Sequence, residues 1–187
     1  MTTISYIIPT IGRESLKETL ASIHTFEGDE ILVIRHNPPS GHWGNAERQD
    51  GLDRAKCDYV AFIDDDDRYV PRHREIQIRA ILENPGKPLI FKIQYPCGRV
   101  IWNPSNIRGR PPRIKNGNVS SQMFLFPNQK DKLARWDPIH SYADYSFVAK
   151  SGWGNRSNFI WRDEIIVQMG HCTSSGRGTK NIHAKGI

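Results

Sequence analysis

No run in this 187-residue chain approaches the ~20 apolar residues that a membrane-spanning helix needs. Cysteine is scarce: Cys57, Cys97 and Cys172 are odd in number and widely spaced. That excludes a disulfide framework and a clustered zinc motif, and fits a reducing compartment. Met1 leads straight into a strand-like segment, so the expectation is a cytoplasmic protein without a secretory leader. There is no internal repeat. Glycine is thin where nucleotidyl transfer would want it: Pro9-Thr10-Ile11-Gly12-Arg13, behind the first apolar segment, holds one glycine and one arginine. Apolar residues are few at 37%, yet the length allows one domain with its own core. Acids are the minority charge, and the net +6 favours nucleotide phosphates or polyanions without proving nucleic-acid binding.

What the chain does have is alternation of strand and helix patterns. Residues 4–9 read as a buried strand, followed by a loop and a helix opened by Ser15. Ser15 and Glu18 have capping-box spacing, with Leu16, Leu20 and Ile23 on one helical stripe. Residues 30–35 are a second strand, predicting a parallel pair with a right-handed crossover. A Gly-rich loop, 41–45, leads into a helix reaching about residue 56, and 60–63 form a third strand. Pro71 and Arg72 start a helix carrying Ile76, Ile78, Ile81 and Leu82, and 88–94 are another strand. Beyond that the pattern loosens. Residues 96–118 are rich in proline and glycine and predict a long irregular loop or hairpin insert, of the kind that is functional or mobile. Residues 121–126 read as a strand, 144–150 as a short helix, 159–162 and 164–168 as closing strands. The Ser/Gly/Lys-rich tail from Thr173 reads as a flap or frayed end.

The chemistry gathers where the third strand stops. Val60-Ala61-Phe62-Ile63 runs directly into Asp64-Asp65-Asp66-Asp67. Most charge runs are solvated turns, but this one leaves an apolar strand at its carboxyl end, where open α/β sheets bind ligands. Four adjacent carboxylates repel one another, and a divalent cation relieves that. In extended backbone Asp64 and Asp66 share a face. Oxygen donors suit Mg²⁺ or Mn²⁺.

Three ordered segments resemble the family-2-like inverting glycosyltransferases of the GT-A fold. They are Ile7-Ile8-Pro9-Thr10-Ile11-Gly12-Arg13, Gly44-Asn45-Ala46-Glu47-Arg48-Gln49-Asp50-Gly51-Leu52, and the strand Tyr59–Ile63 with its aspartates and Arg68-Tyr69-Val70-Pro71. Ser141–Phe147 is similar to the family's acidic pair ahead of a helix, and Met169–Ser175 to its late strand ending in a histidine. The resemblance implies an α/β fold: a single GT-A-like (Rossmann-like) domain, its central sheet mostly parallel and flanked by helices, with a small mixed or antiparallel C-terminal part. Residues 1–94 would form the nucleotide-sugar donor half. Residues 95–187 would form the acceptor and catalytic half, with a flexible basic loop (96–118) and tail (173–187).

By the same resemblance, Pro9, Thr10, Arg13, His36 and Arg48 line the nucleotide, with His36 standing where the family usually has an acid. Asp64 and Asp65 belong to donor binding, Asp64 contacting ribose or sugar. Asp66 and His171 would bind Mn²⁺ or Mg²⁺. Asp144 is the candidate general base, with Ala143 in place of the second acid. The donor expected is a nucleotide sugar, a UDP-sugar first.

The acceptor is open. Arg108, Arg110 and Arg177, with Arg113 and Lys115, are candidates for acceptor or phosphate contact, and Trp153, flanked by glycines, is the expected exposed stacking platform. One acceptor consistent with these charges is DNA carrying hydroxymethylated bases, the target of a compact virus-encoded member in the host cytoplasm. Such a base would be extruded to react, and binding would weaken steeply with salt. Donor-phosphate binding and solvation account for the same charges equally well. A catalytically idle relative holding nucleotide or polyanion is the alternative to an enzyme.

Overall fold

The computed structural model describes residues 1–101, 114, 116–153 and 158–171. Arg108, Arg110, Arg113, Lys115, Trp102, Cys172 and the tail with Arg177 lie outside the described residues.

Strand β1 (Ile4–Pro9) is buried at every position, as its unbroken apolar run requires for a strand covered on both faces. It pairs in parallel with β2 (Glu30–Ile34) and β3 (Tyr59–Phe62). β3 is also buried throughout. β2 is the edge strand, and its outward residues Ile31 and Val33 are exposed. Helix α1 (Leu16–Ser22) makes the first crossover. Ser15 stands at its N-cap but makes no side-chain cap bond. Glu18 instead pairs with Arg68, the first residue of β4 (Arg68–Tyr69), so the capping box is not formed.

Helix α2 (Asn45–Arg54) lies across β1, and Gly51 is why it can lie so close. A Cβ there would stand 2.4 Å from Ile7 Cγ2. Helix α3 (His73–Glu83) buries polar as well as apolar residues, and Ile76 and Ile78 pack against the core. His73, Arg74, Gln77, Ala80 and Ile81 are buried, and Leu82 is 71% exposed. Arg74 is buried against Asp29, ahead of β2. Arg74 Nε and Nη2 donate to its two oxygens at 2.6 and 2.7 Å, and both side chains are fully buried. A buried charge is tolerable only when paired in this way.

Strands β5 (Leu89–Gln94), β6 (Val100–Ile101), β7 (Phe124–Pro127) and β8 (Ile160–Gln168) complete one sheet, ordered β2-β1-β3-β7-β5-β8-β4 with β6 on β5. β7 enters between β3 and β5, antiparallel to both. β5 and β8 therefore run in the same sense as β1, β2 and β3. The fold is an α/β domain with a curled mixed sheet, and the described residues form four helices and one apolar core. The 121–126 segment divides into a 3-10 turn, Ser121–Met123, and β7. The two expected closing strands are one, β8, whose register against β5 slips between Ile90 and Lys92 and again before Ile93.

Helix α4 (Ala143–Lys150) rests on an aromatic layer. Phe147 stacks on Trp136 at 4.4 Å between centroids, and Trp136 meets Phe62 edge-on at 5.2 Å. Trp153 belongs to the neighbouring cluster, its ring 5.3 Å from Phe126. It is only 7% exposed. Gly152 lies in a bend as a loop requires, but the indole turns into the core, so Trp153 is not an exposed platform.

Candidate active site

The end of β3 places the four aspartates. Asp67 N donates to Asp64 O at 3.2 Å, so residues 64–67 form a turn rather than continuing extended. Alternation survives all the same. Asp64 and Asp66 are partly open, while Asp65 and Asp67 are buried.

The inward pair anchors neighbouring segments. Asp65 accepts from Thr10 Oγ1 at 2.6 Å and from Arg13 Nη1 at 2.9 Å. Thr10 Oγ1 in turn accepts from Gly12 N at 2.8 Å. Asp65 thus shapes the loop after β1. Asp67 accepts from Gly170 N at 2.9 Å and from Gln122 Nε2 at 2.9 Å, tying the turn to the end of β8 and to the 3-10 turn. A Cβ on Gly170 would stand 1.9 Å from the carbonyl oxygen of Asp66, so only glycine lets these backbones approach. Burial, reinforced by the Asp64 charge, pushes the Asp67 carboxyl up to about 8.

The outward pair faces the cleft. Asp64 accepts from Arg48 Nη2, and from Gln122 Nε2 at 2.7 Å. Arg48 is buried, donates from Nη1 to the carbonyl of Trp43 at 2.6 Å, and lies over the Trp136 ring at 5.5 Å. It is a framework cation rather than a surface ion pair. Asp66 accepts from Arg13 Nη1 at 2.9 Å and stands 3.6 Å from His171 Nδ1. Burial raises its carboxyl, and Arg13 opposes the rise.

Asp144 sits in the first turn of α4, behind Tyr142 at the N-cap. The same helix buries Phe147 and Val148, fixing where Asp144 points. Asp144, Asp64, Arg48, Ser121, Asn45 and Trp43 line one cleft of roughly 170 Å³. Burial pushes the Asp144 carboxyl up to about 6, against the pull of Arg48 and of hydrogen bonds with Ser121. A group poised there can hold or release a proton near neutrality.

His36, just past β2, is held against α2, with Nδ1 3.5 Å from Glu47 and Nε2 3.4 Å from Asp50. Its contacts are with that helix rather than with the aspartates. Pro9 ends β1, and Gly44 packs so tightly on it that a Cβ would stand 2.8 Å from Pro9 Cβ.

Among the described residues, no group of three or more His, Cys, Asp or Glu side chains gathers to hold a metal. Asp66 and His171 nevertheless offer facing oxygen and nitrogen donors. Mg²⁺ is commonly held by one or two carboxylates, with substrate phosphates and water completing its shell. The pair fits a cation that arrives with a diphosphate.

Gln122 and Ser121 were missed by sequence reasoning. Nothing local marks them, because their acidic partners lie far away in the chain. Asp67 received no role of its own from the sequence, since its partners Gln122 and Gly170 are remote in the chain.

Residues 12–145 match the family model described as glycosyl transferase family 2. The chain belongs to that family. No curated protein matches the sequence. Among solved structures, S. aureus TarS superposes with a TM-score of 0.68 at 15% identity, over 90% of this chain and 36% of that one. TarS 1-349 in complex with UDP-GlcNAc gives 0.67 at 15% identity, covering 90% and 58%. Its complex with UDP gives 0.66 at 17% identity, covering 89% and 60%. This family 2 chain therefore spans about a third to three fifths of the length of these proteins. The likeness establishes the fold. Among the described residues no helix is long and apolar enough to cross a membrane.

Proposed function

We propose that the chain transfers a sugar, with inversion, from a nucleoside-diphosphate sugar to a hydroxyl acceptor. The observation that carries this reading is the convergence of Asp64 and a proton-poised Asp144 on one cleft beside the Asp66–His171 pair. The solved TarS complexes hold UDP-GlcNAc and UDP, which makes uridine diphosphate sugars the first donors to try.

In this reading Thr10 and Arg13 shape the nucleotide loop, and Asp64 orients ribose or sugar, itself held by Arg48 and Gln122. Asp144 takes the acceptor's proton as its oxygen attacks the anomeric carbon. The bond from that carbon to the diphosphate breaks on the opposite face. Negative charge then grows on the departing diphosphate, beside the Asp66–His171 pair. Asp66 and His171 would hold Mn²⁺ or Mg²⁺, and such a cation supplies Lewis-acid stabilisation of the diphosphate when bound.

The test is donor turnover. Hydrolysis or transfer of UDP-sugars should require Mn²⁺ or Mg²⁺ and should disappear in Asp66→Ala. Folded wild-type protein that consumes no nucleotide sugar in either metal would overturn the proposal in favour of an idle binding relative.

A further inference from the structure

Trp43 stands apart from the tryptophans of the core. Trp136 and Trp153 are buried, whereas Trp43 is 67% exposed and lines the same cleft as Asp64 and Asp144. Its backbone has φ 51, in the left-handed region that a bulky side chain rarely adopts. Backbone outliers of this kind persist only where the surroundings impose them, and they gather at ligand sites.

Here the surroundings are explicit. The Trp43 carbonyl accepts from Arg48 Nη1 at 2.6 Å. The loop closes with Asn45 N donating to His42 O at 3.0 Å. Gly44 is seated against Pro9, and Asn45 Nδ2 donates to His140 O at 3.3 Å, joining the loop to the segment before α4. A large aromatic face is thus left in the open at the mouth of the cleft that holds Asp64 and Asp144.

We infer that Trp43 is the stacking platform for the acceptor, and that the acceptor group it receives is a pyranose ring. This rests on the reading of Asp144 as the base. The chemistry of the cleft selects among flat ligands. Asp144 accepts hydrogen bonds from hydroxyls, Ser121 and Asn45 add small polar groups, and Asp64 is left to the donor. Among the described residues lining the cleft the arginine is Arg48, and it is already committed to Asp64. A neutral ring with a CH face and several hydroxyls suits this lining, whereas acceptor phosphates would meet like charge. Aromatic stacking supplies area and orientation without reading one sugar's identity.

The test uses the whole chain labelled with 5-fluorotryptophan. Its five tryptophans give resolvable signals, and Trp43→Phe assigns the one of interest. With UDP and Mn²⁺ saturating, methyl hexopyranosides and their disaccharides are titrated, and an oligothymidylate is the separate arm. At least one glycoside should move the Trp43 signal saturably. Its binding should weaken about tenfold or more in Trp43→Ala and less in Trp43→Phe, with UDP affinity unchanged. The inference is overturned if no glycoside moves that signal, if Trp43→Ala binds glycosides as well as wild type, or if only the oligonucleotide acts. UDP that binds while glycosides do not sinks the acceptor inference alone. UDP that fails to bind wild type sinks the donor reading and this one with it.

Discussion

Asp144 can take a proton only when ionised, so its elevated pKa sets the acid limb of the reaction. Turnover should rise with pH through about 6 and level off above it. Asp144→Asn should lower kcat about 10²–10⁴-fold while leaving donor binding intact, and the acid limb should vanish from the residual rate. Steady-state kinetics across pH 5–8, taken as roughly the window around that pKa, checks both outcomes. Gln122 is the complementary case. Its amide donates to Asp64 and to Asp67, so Gln122→Ala leaves a buried carboxylate short of a donor. The expected loss is about 1–3 kcal/mol of stability together with a higher donor KM. Denaturant titration and donor kinetics on one preparation measure the two effects. The aspartates were legible because four charges following an apolar strand need a reason. Gln122 was not, since its role exists only once the 3-10 turn meets the β3 end. Trp153 was misjudged for a related reason: neighbouring glycines reveal a loop, and the Phe126 and Phe159 rings decide which way its side chain goes.

The elements were easiest to read where burial is uniform. β1, β3 and β5 are apolar runs, and α2 follows its glycine-rich entry. Helix α3 was read in place, and of the apolar residues it was expected to carry Ile81 is buried, Ile76 and Ile78 pack on the core and Leu82 is exposed. Its buried Arg74 and Gln77 were not legible, because their partners Asp29 and Tyr6 are remote in sequence. The α2–β1 contact offers a clean element-scale prediction. Gly51→Ala drives a methyl into Ile7, with the Ile34 side chain also near, and neither can move freely in the core. Overpacking of this kind costs about 1–3 kcal/mol. Urea unfolding should show a lower midpoint at unchanged slope, and activity at low temperature should persist because α2 still carries Arg48.

On the scale of the whole molecule, the donor and acceptor halves proposed from the sequence share one sheet. β7, from beyond residue 94, pairs with β3 on one side and β5 on the other. A fragment ending at residue 94 would expose the inner edges of β3 and β5 together. Circular dichroism and amide exchange should therefore find it unfolded or aggregated, and a folded fragment would show the halves to be separable. The order of that sheet was not legible, because β7 reaches its place through a long connection that local patterning does not steer.

The central claim is that the aspartate turn holds a nucleotide sugar through a cation at Asp66, beside an independent base at Asp144. Thermal unfolding of wild type, Asp66→Ala and Asp144→Asn, with UDP-GlcNAc and with or without Mn²⁺, addresses it directly. At ligand near a hundred times Kd, wild type and Asp144→Asn should gain about 5–10 °C in Tm only when Mn²⁺ is present, and Asp66→Ala should gain nothing. A metal-independent gain that survives in Asp66→Ala would contradict the account.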